Sequence, residues 1–287
     1  MVVCVIDACG FVCLLIVYLS VSYADYVILR HILLFKYAGS IWFPVHTTLI
    51  HLLILMILVS HLRAAFTDPG RVPLPVTAID FSDLRGGTPR TNERGNEDWT
   101  VCNRCETYRP PRAHHCSSCH RCVRRMHHHC PWINNCVGEL NQKYFIQFLF
   151  YTGVLSLYGL GLLLTTWLWP ILKEKSGEPE KVGFSITNAH LAHWIILLIE
   201  SIVLGLFALV VSFDQVGSII RDETPIERMK SRFSKDAQRE GPHTRKPKME
   251  LLREVFGRGY VICWFVPCNG PSVSGGPAYS RLPDYDL

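Results

Sequence analysis

CNRCETYRPPRAHHCSSCHRCVRRMHHHCPWINNC, residues 102–136, decides how the rest of the chain is read. Its 35 positions hold seven cysteines (Cys102, Cys105, Cys116, Cys119, Cys122, Cys130 and Cys136) and six histidines (His114, His115, His120, His127, His128 and His129). No ordinary core needs that density of soft ligands. Three C-x2-C steps, at 102/105, 116/119 and 119/122, have the spacing that puts two thiolates on one tetrahedral zinc ion, and the intervening histidines can complete the coordination. Two closed Cys3His sites consume six cysteines, so one has no structural task. Cys130 is the best candidate for the spare, because it directly follows three histidines and precedes Pro131 and Trp132. A thiol beside imidazoles is placed to become a thiolate nucleophile.

The run Cys102-x2-Cys105, His115-Cys116-x2-Cys119-x2-Cys122 and HHHCPWINNCVG from His127 to Gly138 closely resembles the cysteine-rich domain of the DHHC-type protein S-acyltransferases, the palmitoyltransferases. The resemblance implies one zinc on Cys102, Cys105, His115 and Cys122 and a second on Cys116, Cys119, His129 and Cys136. Both zinc ions would be structural, since four protein ligands leave no open position. Cys130 is left as the acyl-accepting nucleophile, in agreement with the parity count. His128 is the implied base. The aspartate that opens the family's four-residue signature is replaced by His127, which brings no negative charge to orient and polarise His128.

Outward from this stretch the chain is strongly apolar, with 49% hydrophobic residues in 287. Four runs, about 8–29, 41–62, 144–171 and 191–213, are each long enough as helices to cross the ~30 Å hydrocarbon layer. The first lacks the basic n-region of a signal peptide and is expected to be retained as a span. The fold class expected is therefore all-α and multi-pass: four transmembrane helices with a small cytosolic two-zinc cysteine-rich domain between helices 2 and 3. The divisions are 1–62 for helices 1 and 2, 63–98 for a linker, 99–143 for the zinc domain, 144–213 for helices 3 and 4, and 214–287 for a tail.

Lysine and arginine set the orientation. Twelve lie in 63–143 and twelve from 214 onward, against two in 30–40 and three in 172–190. Both basic regions are expected in the cytosol, with both termini, and seven clustered thiols in that reducing compartment favour metal over disulfides. The net charge of +5 is accounted for by this bias and by the anionic cytoplasmic leaflet, so no nucleic-acid partner is inferred.

Smaller features fill in the plan. Thr67-Asp68-Pro69-Gly70 is a turn signal at the end of the second span, and Asp68, Pro69 and Gly70 match the Asp-Pro-Gly motif of the family at this place. Residues 71–98 are rich in Pro, Gly and charge without periodicity, as in a mobile linker. Phe145, Phe148, Thr152 and Leu155 form one stripe of the third span. The stripe reads either as helix packing or, by resemblance, with Trp132 as the lining of an acyl-chain cavity. Thr224 and Glu227 resemble the family's TTxE motif, with Pro225 in place of the second threonine, and by resemblance support the active-site loop. VFGRGYVICWFVP, residues 255–267, is apolar enough to lie on the membrane surface or pack on the bundle.

Asp25 and Glu200 sit inside apolar runs, where a function and a bundle-facing hydrogen bond are both open readings. His46, His51 and His61 read as packing or interfacial residues. Cys4, Cys9, Cys13, Cys263 and Cys268 make no knuckle and read as small apolar residues or lipidation sites.

The activity implied is transfer of a fatty acyl group from acyl-CoA, palmitoyl-CoA above all, through an acyl-enzyme on Cys130 to cysteines of membrane-associated cytosolic proteins. The expected location is a Golgi or endoplasmic-reticulum membrane. The competing reading is a catalytically impaired scaffold or substrate-binding relative, which rests on His127 alone.

Overall fold

The computed structural model describes residues 8–74, 100–176, 188–233 and 246–267. The chain begins with α1 (Ala8–Val27), which runs through a π-helical turn (Ile28–Leu33) into α2 (Leu34–Tyr37). Gly39, at φ 76°, opens the link to α3 (Trp42–Phe66), whose Pro44 stands in the first turn, where its missing N–H costs nothing. Two further long helices follow, α4 (Gln142–Ser176) and α5 (Asn188–Arg221). Four helical stretches, Ala8–Tyr37, Trp42–Phe66, Gln142–Leu168 and Asn188–Arg221, are long and apolar enough to cross a membrane. Leu52, Leu55, Ile199, Val203, Leu206 and Val210 all point outward and are more than two-fifths exposed. An apolar surface that broad is stable against lipid and not against water.

The cysteine-rich segment between the second and third of these stretches is built of three short antiparallel hairpins. They are β1 (Thr100–Cys102) with β2 (Thr107–Arg109), β3 (Ala113–Cys116) with β4 (Arg121–Arg124), and β5 (His128–Cys130) with β6 (Asn135–Val137). Two short helices, α6 (Pro225–Phe233) and α7 (Lys248–Phe256), come after α5.

The described residues fall into two compact units. One lies within Met1–Phe11, Leu62–Phe145 and Val216–Leu287 and holds all three hairpins with α6 and α7. Its core includes Val123, Ile133, Cys136 and Val137, each fully buried. The other, Val12–His61 with Ile146–Gln215, is a helical bundle closed on Ile28, Ile32, Leu33, Ile50, Ile57, Leu163, Trp194 and Leu197. Polar groups inside this bundle bond across helices. Asp25 approaches His51 at 3.7 Å, Glu200 accepts from Ser20, His46 Nδ1 meets the Tyr158 hydroxyl at 2.5 Å, and His61 Nδ1 meets that of Tyr18 at 3.1 Å. His46 and His61 thus make contacts across helices, as Glu200 does with Ser20, while the His51 side chain is half exposed.

Arg71 and Val72, read from sequence as linker, belong to the hairpin unit. Arg71 bridges to Val123, and the Val72 N–H donates to Cys122 O at 2.9 Å with its side chain packed on Cys102, Ala113 and Cys122. Val72 and Leu74 are interleaved with Pro73 and Pro75, which read as breakers of a strand, and this hides the docking from the sequence. The rest of that linker, residues 75–98, with residue 99, the tail from 268 with Cys268, and Cys4 lie outside the described residues.

Candidate metal centres and active site

Two of the three C-x2-C steps, 102/105 and 116/119, close a knuckle at a hairpin turn, whereas 119/122 does not put both thiols on one ion: Cys119 falls in one four-residue set and Cys122 in the other. Cys105 N–H donates to Cys102 O at 3.1 Å, and Cys119 N–H donates to Cys116 Sγ at 3.3 Å. The residue after each second cysteine, Glu106 (φ 46°) or His120 (φ 51°), takes the left-handed conformation that turns the chain back. The next hairpin supplies the remaining ligands of each set, because His115 stands opposite Cys122 across β3 and β4, and His129 opposite Cys136 across β5 and β6.

Two four-residue sets converge as a result: Cys102, Cys105, His115 and Cys122, and Cys116, Cys119, His129 and Cys136. In each, the ligand atoms all lie within 4.8 Å of one another. The His115 Nδ1 is 3.5 Å from Cys102 Sγ and 3.2 Å from Cys105 Sγ, while His129 Nδ1 is 3.3 Å from Cys119 Sγ and 3.8 Å from both Cys116 and Cys136. A tetrahedral ion with ligand bonds of ~2.0–2.3 Å separates its ligands by about 3.5–3.8 Å, so both sets fit a metal ion. The thiols of the two sets are uneven: burial pushes Cys122 up in the first, and Cys116 and Cys119 push Cys136 up in the second. Hydrogen bonds from Cys119 and Cys136 hold the Cys116 thiol far below its ordinary value, and Cys116 and Cys119 in turn push His129 up to about 10.

β5 then separates two tasks by the two-residue alternation of a strand. His129 faces the second cluster, so His128 and Cys130 lie together on the opposite face. The His128 ring stands edge-on to Phe145 with centroids 5.7 Å apart, and Cys130 is buried at 4% exposure. Pro131 at the first position of a 3-10 turn (Pro131–Ile133) ends the strand immediately after Cys130, and Asn134 (φ 45°) reverses the chain into β6. Trp132 is half-buried on this turn. His127 is buried just ahead of β5, its N–H donating to Val137 O at 2.9 Å, and it lines a cavity of about 30 Å³ with Arg112, Arg125, Gln142 and Thr224.

The flanking motifs converge on the same hairpins. The Asp68 carboxylate accepts from the N–H groups of Gly70 and Arg71, both at 2.8 Å, and so shapes the turn after α3. Gly70 O accepts from Arg124 N–H at 2.9 Å, and Pro69 O from Leu140 N–H at 3.4 Å. Gly138 is required here, because a Cβ on it would strike Pro69 O. Thr224 and Glu227 form a capping box at the start of α6: the Thr224 N–H donates to Glu227 Oε2 at 2.7 Å and the Glu227 N–H to Thr224 Oγ1 at 3.3 Å. Pro225 fills the first helical position, so the departure from TTxE suits the helix.

Glu227 also accepts two hydrogen bonds from Arg112, at 2.8 and 3.0 Å, and Arg112 reaches the Asp222 carboxylate and carbonyl, both at 2.8 Å. Burial alone would raise the Glu227 carboxyl, but Arg112 and the Thr224 N–H hold it below the usual glutamate range. Arg125 extends the network to Asp222 at 3.0 Å and Glu254 at 3.4 Å.

Arg112 and Arg125 carry no motif of their own, and sequence reasoning passed over them. It also passed over two asparagines. Asn135 Nδ2 donates to the carbonyls of Ala64, Ala65 and Thr67, and Asn141 Nδ2 to those of Ala64 and Cys136, so the open end of α3 is capped by the hairpin unit.

The stripe of α4 is distributed between the units. Phe145 belongs to the hairpin unit, where it meets His128. In the bundle, Phe148 packs edge-on to His61 at 5.0 Å, and Leu155 and Thr152 line a cavity of about 40 Å³ with Ile57, Leu197 and Glu200.

The sequence model described as "DHHC palmitoyltransferase" matches residues 95–232. Palmitoyltransferase ZDHHC3-A of Danio rerio is 35% identical over 91% of this chain and 77% of its own length. Palmitoyltransferase ZDHHC3 of Homo sapiens is 31% identical over 96% of this chain and 86% of its own length. A plant relative, probable protein S-acyltransferase 16 of Arabidopsis thaliana, is 32% identical over 81% and 80%. Two metal-binding hairpin sets between the second and third of four membrane helices define the class, and the chain belongs to the DHHC palmitoyltransferase family. It is a protein S-acyltransferase.

Proposed function

We propose that the chain moves a palmitoyl group from palmitoyl-CoA to protein cysteines through a thioester on Cys130. The observation that carries this reading is the alternation of β5, which commits His129 to a metal cluster and leaves His128 on the face of Cys130. His128 takes the thiol proton, and the Cys130 thiolate attacks the thioester carbonyl. The carbon–sulfur bond to coenzyme A breaks, and its thiolate leaves with the proton from His128. A substrate cysteine then repeats the exchange in reverse roles, which regenerates Cys130.

The two clusters are read as zinc sites. With three thiolates and one imidazole on each, zinc contributes folding free energy and fixes the hairpin that carries Cys130. Asp68, Pro69, Gly70, Thr224 and Glu227 hold that hairpin unit in shape. Trp132, Phe145, Phe148 and Leu155 are the residues proposed to meet the acyl chain. The lysine and arginine distribution supports a cytosolic face for the hairpins and both termini. The substrates are then cytosolic membrane-associated proteins with cysteines near the bilayer, and the membrane is that of the Golgi or endoplasmic reticulum.

The test is incubation of the purified protein with a clickable palmitoyl-CoA analogue. Label is expected on Cys130 and absent from Cys130→Ser. Undiminished hydroxylamine-sensitive label on Cys130→Ser would overturn the assignment. An impaired relative is favoured by one observation only: the first motif position is a buried imidazole and not a carboxylate, in a cavity lined also by Arg112, Arg125, Asp222, Glu223 and Glu254.

A further inference from the structure

The helical bundle carries a second cluster of histidines that the acyl-transfer chemistry does not use. His31 stands in the π-helical turn that follows α1, and His190 and His193 are one turn apart at the start of α5. The His31 ring is tilted over His193 with centroids 4.3 Å apart and stands edge-on to His190 at 5.0 Å. A π-turn is an uncommon insertion that recurs at functional sites. Here its backbone is held by the buried Trp194, whose Nε1 donates to His31 O at 3.0 Å.

The ring nitrogens are divided in a way that suits ligation. His31 Nε2 lies 3.4 Å from the Tyr26 hydroxyl, and His31 Nδ1 is buried with no hydrogen-bond partner in a side chain that is only 8% exposed. His193 Nδ1 is bonded to the Tyr23 hydroxyl at 2.9 Å, which leaves Nε2 as its ligand atom. Metal-bound imidazoles commonly use one nitrogen for the ion and bond the other to a polar neighbour that fixes the ring. His-x2-His on one helix with a third ligand from a facing helix is also how bundles assemble metal sites.

We propose that His31, His190 and His193 form a third metal site, distinct from the two cysteine clusters, for a borderline divalent transition metal such as zinc. Three neutral imidazoles select such an ion over calcium or magnesium, which prefer oxygen. The rings are stacked and edge-on, so binding turns them about the soft Cβ–Cγ bond until the nitrogens converge. Phe35, 5.9 Å from His190 and 5.7 Å from Trp194, walls one side. On the orientation proposed above, this end of the bundle faces away from the cytosol.

The experiment uses the full chain, purified in detergent with both cysteine clusters loaded, and titrates it with zinc followed by metal analysis. One equivalent beyond those two is expected, released by a mild chelator that leaves the cysteine-bound metal in place. His31→Gln with His193→Gln should abolish that equivalent while cluster metal and self-acylation stay as in the parent. No extra equivalent in the parent, or one that persists in the double variant, would overturn the site. Where the double variant fails to fold, cobalt added to the zinc-loaded parent decides. Visible bands without sulfur-to-cobalt charge transfer support three imidazoles, and charge transfer refutes them. Tyr23→Phe should weaken the third equivalent several-fold and leave the other two unmoved.

Discussion

Replacing Glu227 with Gln isolates what its charge contributes to the brace between α6 and the hairpins. Gln keeps the shape and can still accept from the Thr224 N–H, so the capping box survives in part. The charge that meets Arg112 at 2.8 and 3.0 Å is lost, while Arg112 keeps both bonds to Asp222. Hydrogen bonds to charged groups contribute about 1.5–3 kcal/mol, and with both side chains roughly a quarter exposed the lower end applies, near 2 kcal/mol. Local opening should therefore be roughly 30-fold more frequent, at tenfold for each 1.4 kcal/mol.

Hydrogen–deuterium exchange of the α6 and β3 amides reads this directly. The pH dependence fixes the sign. Glu227 has its carboxyl lowered in the fold, so its contribution is fully present above the unfolded value near ~4.3 and is lost as pH falls through the lower folded value. Parent and variant should differ at neutral pH and converge in acid. Equal exchange at pH 7, or a gap that persists undiminished below about pH 3, would refute the argument.

Zinc content should be close to two per chain in protein never exposed to excess metal. It should fall in Cys102→Ser and in His129→Ala, with destabilised hairpins, and stay unchanged in Cys130→Ser; metal loss in that last variant would make Cys130 a ligand. Leu155→Ala enlarges the cavity beside Thr152 and should shift competition between acyl-CoA donors toward longer chains, with no shift if the stripe only packs. His127→Asp should speed self-acylation of Cys130 up to about tenfold, since an anion beside His128 favours the imidazolium. His128→Ala should slow both versions and remove most of that difference, and equal rates with His128 intact would show that the first motif position is not limiting.

Much of this molecule can be read before it is seen, and the limits have physical causes. Metal ligands and long spans are legible because they are local: a C-x2-C knuckle is complete in four residues, and a membrane helix declares itself by length. The hairpins escape because strands of three or four residues are too short to show an alternating pattern. Pro225 reads from sequence only as a departure from TTxE, although T-x-x-E just ahead of a helix is itself a readable capping signal. Arg112 and the asparagines Asn135 and Asn141 act through partners distant in the chain, which no spacing reveals. His31 and His193 are separated by more than half the sequence, and only the bundle brings their rings together.

β5 is three residues long, and its pairing with β6 contributes too few hydrogen bonds to resist slipping. His129 and Cys136 face each other across that pairing and belong to one set that fits a metal ion, so an ion held there would pin both strands. A slip of one residue would present His128 or Cys130 to the cluster and turn His129 outward. The segment 127–137 is thus sensitive to length as well as to substitution at His129, Cys130 and Cys136. A single-residue insertion between His127 and Cys130 should be more damaging than any side-chain exchange at the same place, because it moves the thiol and breaks the cluster in one step.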